Sequence, residues 1–378
     1  MPKALIVSIA TGMGHNQAAN CIKSELEAAG YSACIAEPIK DGRIIDLVIN
    51  NGFKILAGKM PKMYGRLYKV TERKLLNQGI AKFLNVTLRN ILREIIEDHK
   101  PDLIISTHPL LVNAVSYVKA SGRADIPFIA VVTDYMAHQF YVNKYVDAYI
   151  VGSKYTKDTL TAKGVMENKI YTYGIPIRKE FRQPRRIKPG DSTQNNVFSI
   201  LLMAGSMGIP RIKKCLKILL KNRHNFRLTV VCGHNQKLKE ELEEKYCQAV
   251  NGKDIIVYGF TDEIAKLMDR SDLIITKPGG ITVSEAINKN IPIIIPFYIP
   301  GQEEENTEIL VKAGVAVSVE NISELNKIVD MFYENPALLE KMRLKALEFS
   351  RELSPDSIVR LADGLIYEYN SRQHMVHA

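Results

Sequence analysis

Tryptophan is absent from the 378 residues, and cysteine is sparse. The five cysteines, Cys21, Cys34, Cys215, Cys232 and Cys247, are scattered with no Cys-x-x-Cys pair. A chain this large needs no disulfide staples, so the pattern fits a reducing compartment and does not fit a cysteine zinc site. No stretch approaches the ~20 apolar residues that span a bilayer. The opening "ALIVSIA" is short and runs into a glycine-rich turn, so it reads as a buried first strand rather than a signal peptide. Crossing a membrane is excluded on this reading; resting on one is not. There is no Gly-Lys-Ser/Thr Walker loop, and "TGMGHNQ" places Gln17 where a dinucleotide fingerprint needs its third glycine. Both absences turn the reading away from P-loop and nicotinamide enzymes.

The chain is 46% hydrophobic and 24% charged, and its 51 Lys and Arg against 41 Asp and Glu give a formal charge of +10. It can bury a core, and an excess of cations suits an anionic partner: nucleic acid, a phosphorylated small molecule or an anionic membrane surface. Eight short runs, apolar on both faces, are each followed by a helical pattern: "ALIVSIA", "DLIIST", "FIAVVT", "AYIVG", "FSILLMAG", "RLTVVCG", "DLIIT" and "IPIIIP". Such runs predict parallel strands covered by helices on both sides. We therefore expect an α/β protein of two Rossmann-like doubly wound domains facing across a cleft. The first domain is expected over 1–175 and the second over 197–354. Residues 176–196, rich in Pro, Gly and Arg, read as a linker, and a C-terminal helical segment, 355–378, is expected to rejoin the first domain.

Three turns carry chemistry. In the first, a strand ends near Ala10 and Gly12 and Gly14 lead into a helix, with His15 at its mouth. In the second, Gly205, Ser206 and Met207 repeat that geometry. In the third, "KPGGITVSEA", Gly279 and Gly280 open a helix that carries Thr282 and Glu285. Glycines let a ligand approach the backbone, and helix N-termini favour negative charge. After the next strand, "PGQEEEN" brings Gln302, Glu303 and Asn306 to the same sheet edge, where amides and carboxylates suit sugar hydroxyls.

"KPGGITVSEA" followed by "PGQEEEN" resembles the UDP-sugar site of the MurG-like family 28 glycosyltransferases, which have the GT-B fold. "TGMGH" and "VVTDYMAH" are similar to the branch holding monogalactosyldiacylglycerol synthases and processive diacylglycerol glucosyltransferases. The resemblance implies an inverting transfer of a hexose from a UDP-sugar to the hydroxyl of diacylglycerol. It gives Gly279, Gly280 and Thr282 to the diphosphate and Glu285 to the ribose. Gln302, Glu303 and Asn306 fall to the sugar, the amides of Ser206 and Met207 beside Gly205 to the phosphates, and the backbone of Phe260 to uracil; His234 and Asn235 are weaker candidates. His15 is the implied base, with Asp134 as a second base or the group that orients it. No Asp-x-Asp occurs, which agrees with a mechanism that needs no metal or other cofactor. Tyr141 stands where relatives often carry tryptophan, on the acceptor side together with Gly12 and Gly14.

The segment "KILAGKMPKMYGRLYKVTERK" combines Met60, Met63, Tyr64, Leu67 and Tyr68 at helical spacing with Lys62, Arg66 and Lys69 beside them. Between Lys54 and Arg93 only Glu72 is acidic. This pattern suits an interfacial helix on an anionic leaflet. The expected location is cytoplasmic, peripheral on the inner face of the cell membrane. Competing readings keep the fold and change the chemistry: transfer to another lipid such as an undecaprenyl-linked sugar, or a UDP-N-acetylglucosamine 2-epimerase-like isomerase. A nucleic-acid binder would need a basic groove with stacking aromatics, which the turns do not suggest.

Overall fold

The computed structural model describes residues 1–9, 13–39, 60–72, 88–122, 124–183, 197–203, 209–246, 250–351, 353–354 and 357–377. The chain forms two compact units. The first comprises Met1–Ile177, Pro300–Gln302 and Glu352–Ala378, and the second Arg178–Ile299 and Glu303–Arg351. In chain order the strands are β1 (Lys3–Val7), β2 (Ser32–Ala36), β3 (Leu103–Ser106), β4 (Phe128–Val131), β5 (Ala148–Ile150) and β6 (Ile170–Tyr171), then β7 (Ser199–Met203), β8 (Arg227–Val231), β9 (Asp254–Tyr258), β10 (Leu273–Thr276), β11 (Ile293–Ile295) and β12 (Ala316–Ser318). The α-helices are α1 (Met13–Ala28), α2 (Pro61–Thr71), α3 (88–99), α4 (Pro109–Ala120), α5 (Lys154–Ala162), α6 (Ile209–Leu219) and α7 (Gln236–Lys245). They continue with α8 (Ile264–Asp269), α9 (Gly280–Asn288), α10 (Gln302–Lys312), α11 (Leu325–Glu334), α12 (Pro336–Arg351) and α13 (Ile358–His377).

Each unit is built on one six-stranded sheet, and all the strand pairings are parallel. The first sheet runs β2-β1-β3-β4-β5-β6 and the second β12-β11-β10-β7-β8-β9. In the first, alternate residues of one strand enter two different cores. Leu5 and Val7 pack with Ile104, Phe128, Leu92 of α3 and Val115 of α4, while Ala4 and Ile6 pack with Ile105, Ile129, Ile22 of α1 and Leu361 of α13. A strand covered on both faces must be apolar at every position, which is why its sequence is a continuous run and not an alternation. In the second unit Ile200, Leu202, Leu228, Leu273 and Ile275 meet Leu216 of α6 and Phe332 of α11.

Strand order also fixes where loops converge. The order reverses between β1 and β3 in the first sheet and between β7 and β10 in the second. At such a switch the connections from neighbouring strands leave to opposite faces and open a crevice at the strands' carboxyl ends. In the first unit that point is flanked by the start of α1 and by Thr107-His108; in the second it is flanked by 277–280.

Candidate functional site

In the first unit His15 stands in the opening turn of α1, beyond the end of β1. Its Nδ1 lies 2.8 Å from the carbonyl oxygen of Thr107, with the Thr133 hydroxyl at 2.9 Å. A carbonyl only accepts, so Nδ1 carries the proton, and Nε2 of the neutral ring keeps its lone pair. Burial lowers the pKa of His15 to about 4, against the opposing pull of that carbonyl. A ring so shifted is neutral across the physiological range. The backbone around it is locked: Thr107 donates to the Ser8 hydroxyl (3.0 Å), Ser8 to Asn16 Oδ1 (2.7 Å), and Asn16 Nδ2 to Glu37 (3.1 Å).

Two further histidines, which the motif reading did not single out, join His15. His108 caps α4, its Nδ1 accepting from the Leu110 amide at 3.3 Å, and its ring meets that of His15 edge-on at 4.5 Å between centroids. Burial, then the neighbouring His15, hold its pKa well below the ordinary value. His138 accepts from the Phe140 amide through Nδ1 (3.1 Å), and its Nε2 faces the Thr71 hydroxyl (3.2 Å) and Glu72 (3.4 Å). Its pKa falls to about 4, chiefly through burial, with Glu72 opposing. The sequence signal for His108 was its place in "STHPLL": a polar residue directly after an interior strand, followed by a helix-starting proline.

These three rings line a cavity of about 250 Å³ together with Asp134, Tyr141, Tyr64, Leu67 and Gln302. Leu110, Met136 and Phe140 make much of the remaining wall apolar. Thr107 and Thr133 meet His15 at Nδ1; Asp134 lines the same cavity and, after burial, raises the pKa of the fully buried Tyr141. Gly14 lies in the first turn of α1, and Gly12 is outside the described residues.

The helix α2 splits the apolar set seen in the sequence. Tyr64 and Tyr68 turn inward to the cavity, whereas Met60, Met63, Leu67 and Val70 are 49, 45, 46 and 40% exposed. Their spacing puts them in one stripe, flanked by the exposed Lys62, Arg66 and Lys69. Pro61 occupies the first helical turn, where its missing N–H costs nothing. Gly65 is buried against Pro300, where a Cβ would lie 2.6 Å from that of the proline, so only glycine fits. The carboxyl end is clamped: Glu72 pairs with Lys163 at 2.7 Å, and Lys163 also donates to the Ala137 carbonyl at 2.6 Å.

In the second unit the turn after β10 has the form expected for an anion site. Gly279 precedes α9 with no side-chain cap, so the first amides of α9 are left for another acceptor. Thr282 lies in that first turn, and Glu285, 4% exposed, is 3.9 Å from Arg178. Glu303 and Asn306 have local partners. Glu303 is 5% exposed; one oxygen meets Lys277 Nζ at 2.6 Å and the other accepts from the Ile299 amide at 2.9 Å. Asn306, fully buried, donates to the Pro278 carbonyl at 3.1 Å and so braces the glycine turn. Phe260, just past β9, is 58% exposed and stacks on His234, just past β8, at 4.2 Å. Asn235 caps α7. Gly205, Ser206 and Met207 lie outside the described residues.

Two doubly wound parallel sheets, each with a candidate site at its switch point, make up the GT-B fold. A crystal structure of Acinetobacter baumannii MurG has the same fold, with a TM-score of 0.64 at 14% identity over 97% of this chain and 99% of that one. Family models for monogalactosyldiacylglycerol (MGDG) synthase and for the glycosyltransferase family 28 C-terminal domain match residues 15–177 and 199–355. The processive diacylglycerol beta-glucosyltransferase of Bacillus thuringiensis (strain Al Hakam) is 30% identical over 95% of this chain and 92% of its own length. Its Bacillus subtilis (strain 168) namesake is 29% identical over 90% and 89%. The chain belongs to the MurG-like family 28 glycosyltransferases, in the branch of the monogalactosyldiacylglycerol synthases and processive diacylglycerol glucosyltransferases.

Proposed function

We propose that the protein transfers a hexose from a UDP-sugar to the hydroxyl of diacylglycerol, with inversion at the anomeric carbon. The observation that carries this reading is His15: a neutral imidazole, its tautomer set by the Thr107 carbonyl, in a largely apolar cavity wide enough for a glycerol backbone. Its relatives are named for transfer to diacylglycerol with a β-linked product, which from an α-linked nucleotide sugar requires inversion. Nε2 takes the proton of the acceptor hydroxyl as its oxygen attacks the anomeric carbon; the bond to UDP breaks, and the electron pair leaves with the diphosphate. The uncapped amides at Gly280–Thr282 steady that charge, Glu285 holds the ribose, and Phe260 with its His234 partner receives the uracil. Gln302, Glu303 and Asn306 shape the sugar end of the donor site.

The lipid is met at a membrane surface. The stripe on α2, apolar and exposed with Lys62, Arg66 and Lys69 along one side of it, supports docking to an anionic leaflet, and Leu67 belongs both to that stripe and to the cavity wall. The same stripe and the UDP-sugar donor support a peripheral location on the cytoplasmic face of the membrane; among the described residues no helix is long and apolar enough to cross a membrane.

The test is transfer of radiolabel from UDP-glucose, UDP-galactose and UDP-N-acetylglucosamine into mixed micelles of diacylglycerol, followed by lipid extraction. Label in a neutral glycolipid is the expected result, and a ladder of products would add successive transfer. UDP binding without label in any lipid would refute the reading.

A further inference from the structure

The inner face of α2 packs on the turn that leads into α10. Tyr64, Gly65 and Tyr68 share that face, at the spacing of neighbours on a helix, and each meets one residue of Pro300-Gly301-Gln302. A Cβ on Gly65 would lie 2.6 Å from that of Pro300, and one on Gly301 would lie 3.0 Å from Cγ of Tyr68. Gly301 also has a φ of +104°, a backbone conformation that side chains resist, so neither glycine admits one. In the third contact the Tyr64 hydroxyl donates to Gln302 Oε1 at 3.4 Å. The two glycines set the height of α2 over the turn and so bring that hydroxyl within reach of the amide. Packing alone asks only for a ring at position 64, which phenylalanine would supply equally well; the hydroxyl is there for the contacts it makes, and Gln302 is one of them.

We propose that Tyr64 is a positioning residue for the donor sugar: by holding Oε1 of Gln302 it directs the Nε2–H donors to a hydroxyl oxygen of the hexose. The inference rests on the donor reading of Gln302 above. It goes beyond that reading by giving a residue of the lipid-facing helix a part in holding the nucleotide sugar. A carboxamide has an acceptor end and a donor end, and a sugar hydroxyl can both give and receive a hydrogen bond. An amide free to turn over would satisfy the hydroxyl in either orientation and would leave the place of the sugar undefined. Once the phenol engages the oxygen, only the nitrogen is left to meet the hexose, and the sugar has one place to sit.

The test measures the dissociation constants of UDP and of a UDP-sugar by titration calorimetry, without acceptor or detergent. The UDP-sugar is whichever of UDP-glucose, UDP-galactose and UDP-N-acetylglucosamine donates label in the transfer assay. Tyr64→Phe keeps the ring and removes the hydroxyl. It should weaken the UDP-sugar about fivefold, the scale of one net hydrogen bond, and leave UDP, which has no hexose, unchanged. Gln302→Ala should weaken the UDP-sugar at least as much, and Tyr64→Phe added to it should cost nothing more, because the phenol acts through the amide. Circular dichroism verifies the fold of each variant. No loss for either ligand, an equal loss for both, or a Tyr64→Phe effect that persists beside Gln302→Ala overturns the proposal while leaving transfer intact. No label from any of the three donors overturns the donor reading and this inference with it.

Discussion

Truncating Glu303 separates two readings of the "PGQEEEN" motif. If its carboxylate serves only the donor sugar, Glu303→Ala lowers the transfer rate and leaves stability alone. The structure commits both oxygens: one to Lys277 at 2.6 Å and the other to the Ile299 amide at 2.9 Å. Both charged side chains are mostly covered, with 18% of Lys277 and 6% of Glu303 exposed. Removing one partner of a fully buried pair costs about 3–5 kcal/mol, because the remaining charge stays desolvated. Lys277 retains some contact with water, which moves the expectation to about 2–3 kcal/mol, including the orphaned amide. Glu303→Gln keeps an acceptor for Ile299 and loses only the charge, so it should fall between Ala and wild type. The assay is urea unfolding followed by circular dichroism, with Lys277→Met and the double variant completing a thermodynamic cycle. A Glu303→Ala loss below about 0.5 kcal/mol, the range of ordinary surface substitutions, would refute the ion-pair account. So would a cycle with no coupling.

Three further outcomes follow from the first unit. Because burial lowers the pKa of His15 to about 4, the base stays neutral above that value, and the acidic limb of the transfer rate should fall near pH 4 rather than 6.5; initial rates across pH 4–8 check this. His138 is likewise lowered, from 6.5 to about 4, so the unfolded chain binds the extra proton throughout that interval. Stability should therefore drop as pH falls from 6.5 towards 4, by about 1.4 kcal/mol per pH unit from this one residue, and urea midpoints of His138→Gln should show a correspondingly shallower slope. On α2, Lys62→Gln and Lys69→Gln should each weaken binding to phosphatidylglycerol vesicles about fivefold at low salt, as ~1 kcal/mol per cation near an anionic surface requires. Flotation assays with these variants test it, and an unchanged affinity would remove α2 from the membrane contact.

The eight apolar runs in the sequence are the eight interior strands, β1, β3, β4, β5, β7, β8, β10 and β11. The four strands the runs do not include, β2, β6, β9 and β12, are the four sheet edges. An edge has a neighbour on one side only, and its residues are correspondingly less covered: "SACIA" and "DIIVY" are half-buried or exposed at every position. The selection for continuous apolarity that makes an interior strand legible is relaxed there. The site was legible in a similar way. His15 and the Gly279-Gly280 turn were visible because each follows an interior strand and opens a helix. His108 and His138 were hidden because only the fold brings their rings to the cavity of His15, a matter of geometry that spacing does not record. Lys277 was hidden because its partner, Glu303, lies beyond an intervening helix and strand.

The neutrality of the cavity has a consequence for which lipids can enter it. The protein carries a net charge of +10, yet the cations of α2 lie on its outer face, and the imidazoles within are held uncharged by burial. Of the described lining residues the one formally charged group is Asp134, an anion. On the proposed docking of α2, a phosphate-headed lipid would be attracted to the helix and repelled from the chamber behind it. An anionic bilayer would then serve as a platform without becoming a competing substrate, and a neutral alcohol diluted among charged lipids would be sorted from them by the change of electrostatic environment between the outside of one helix and its inner side.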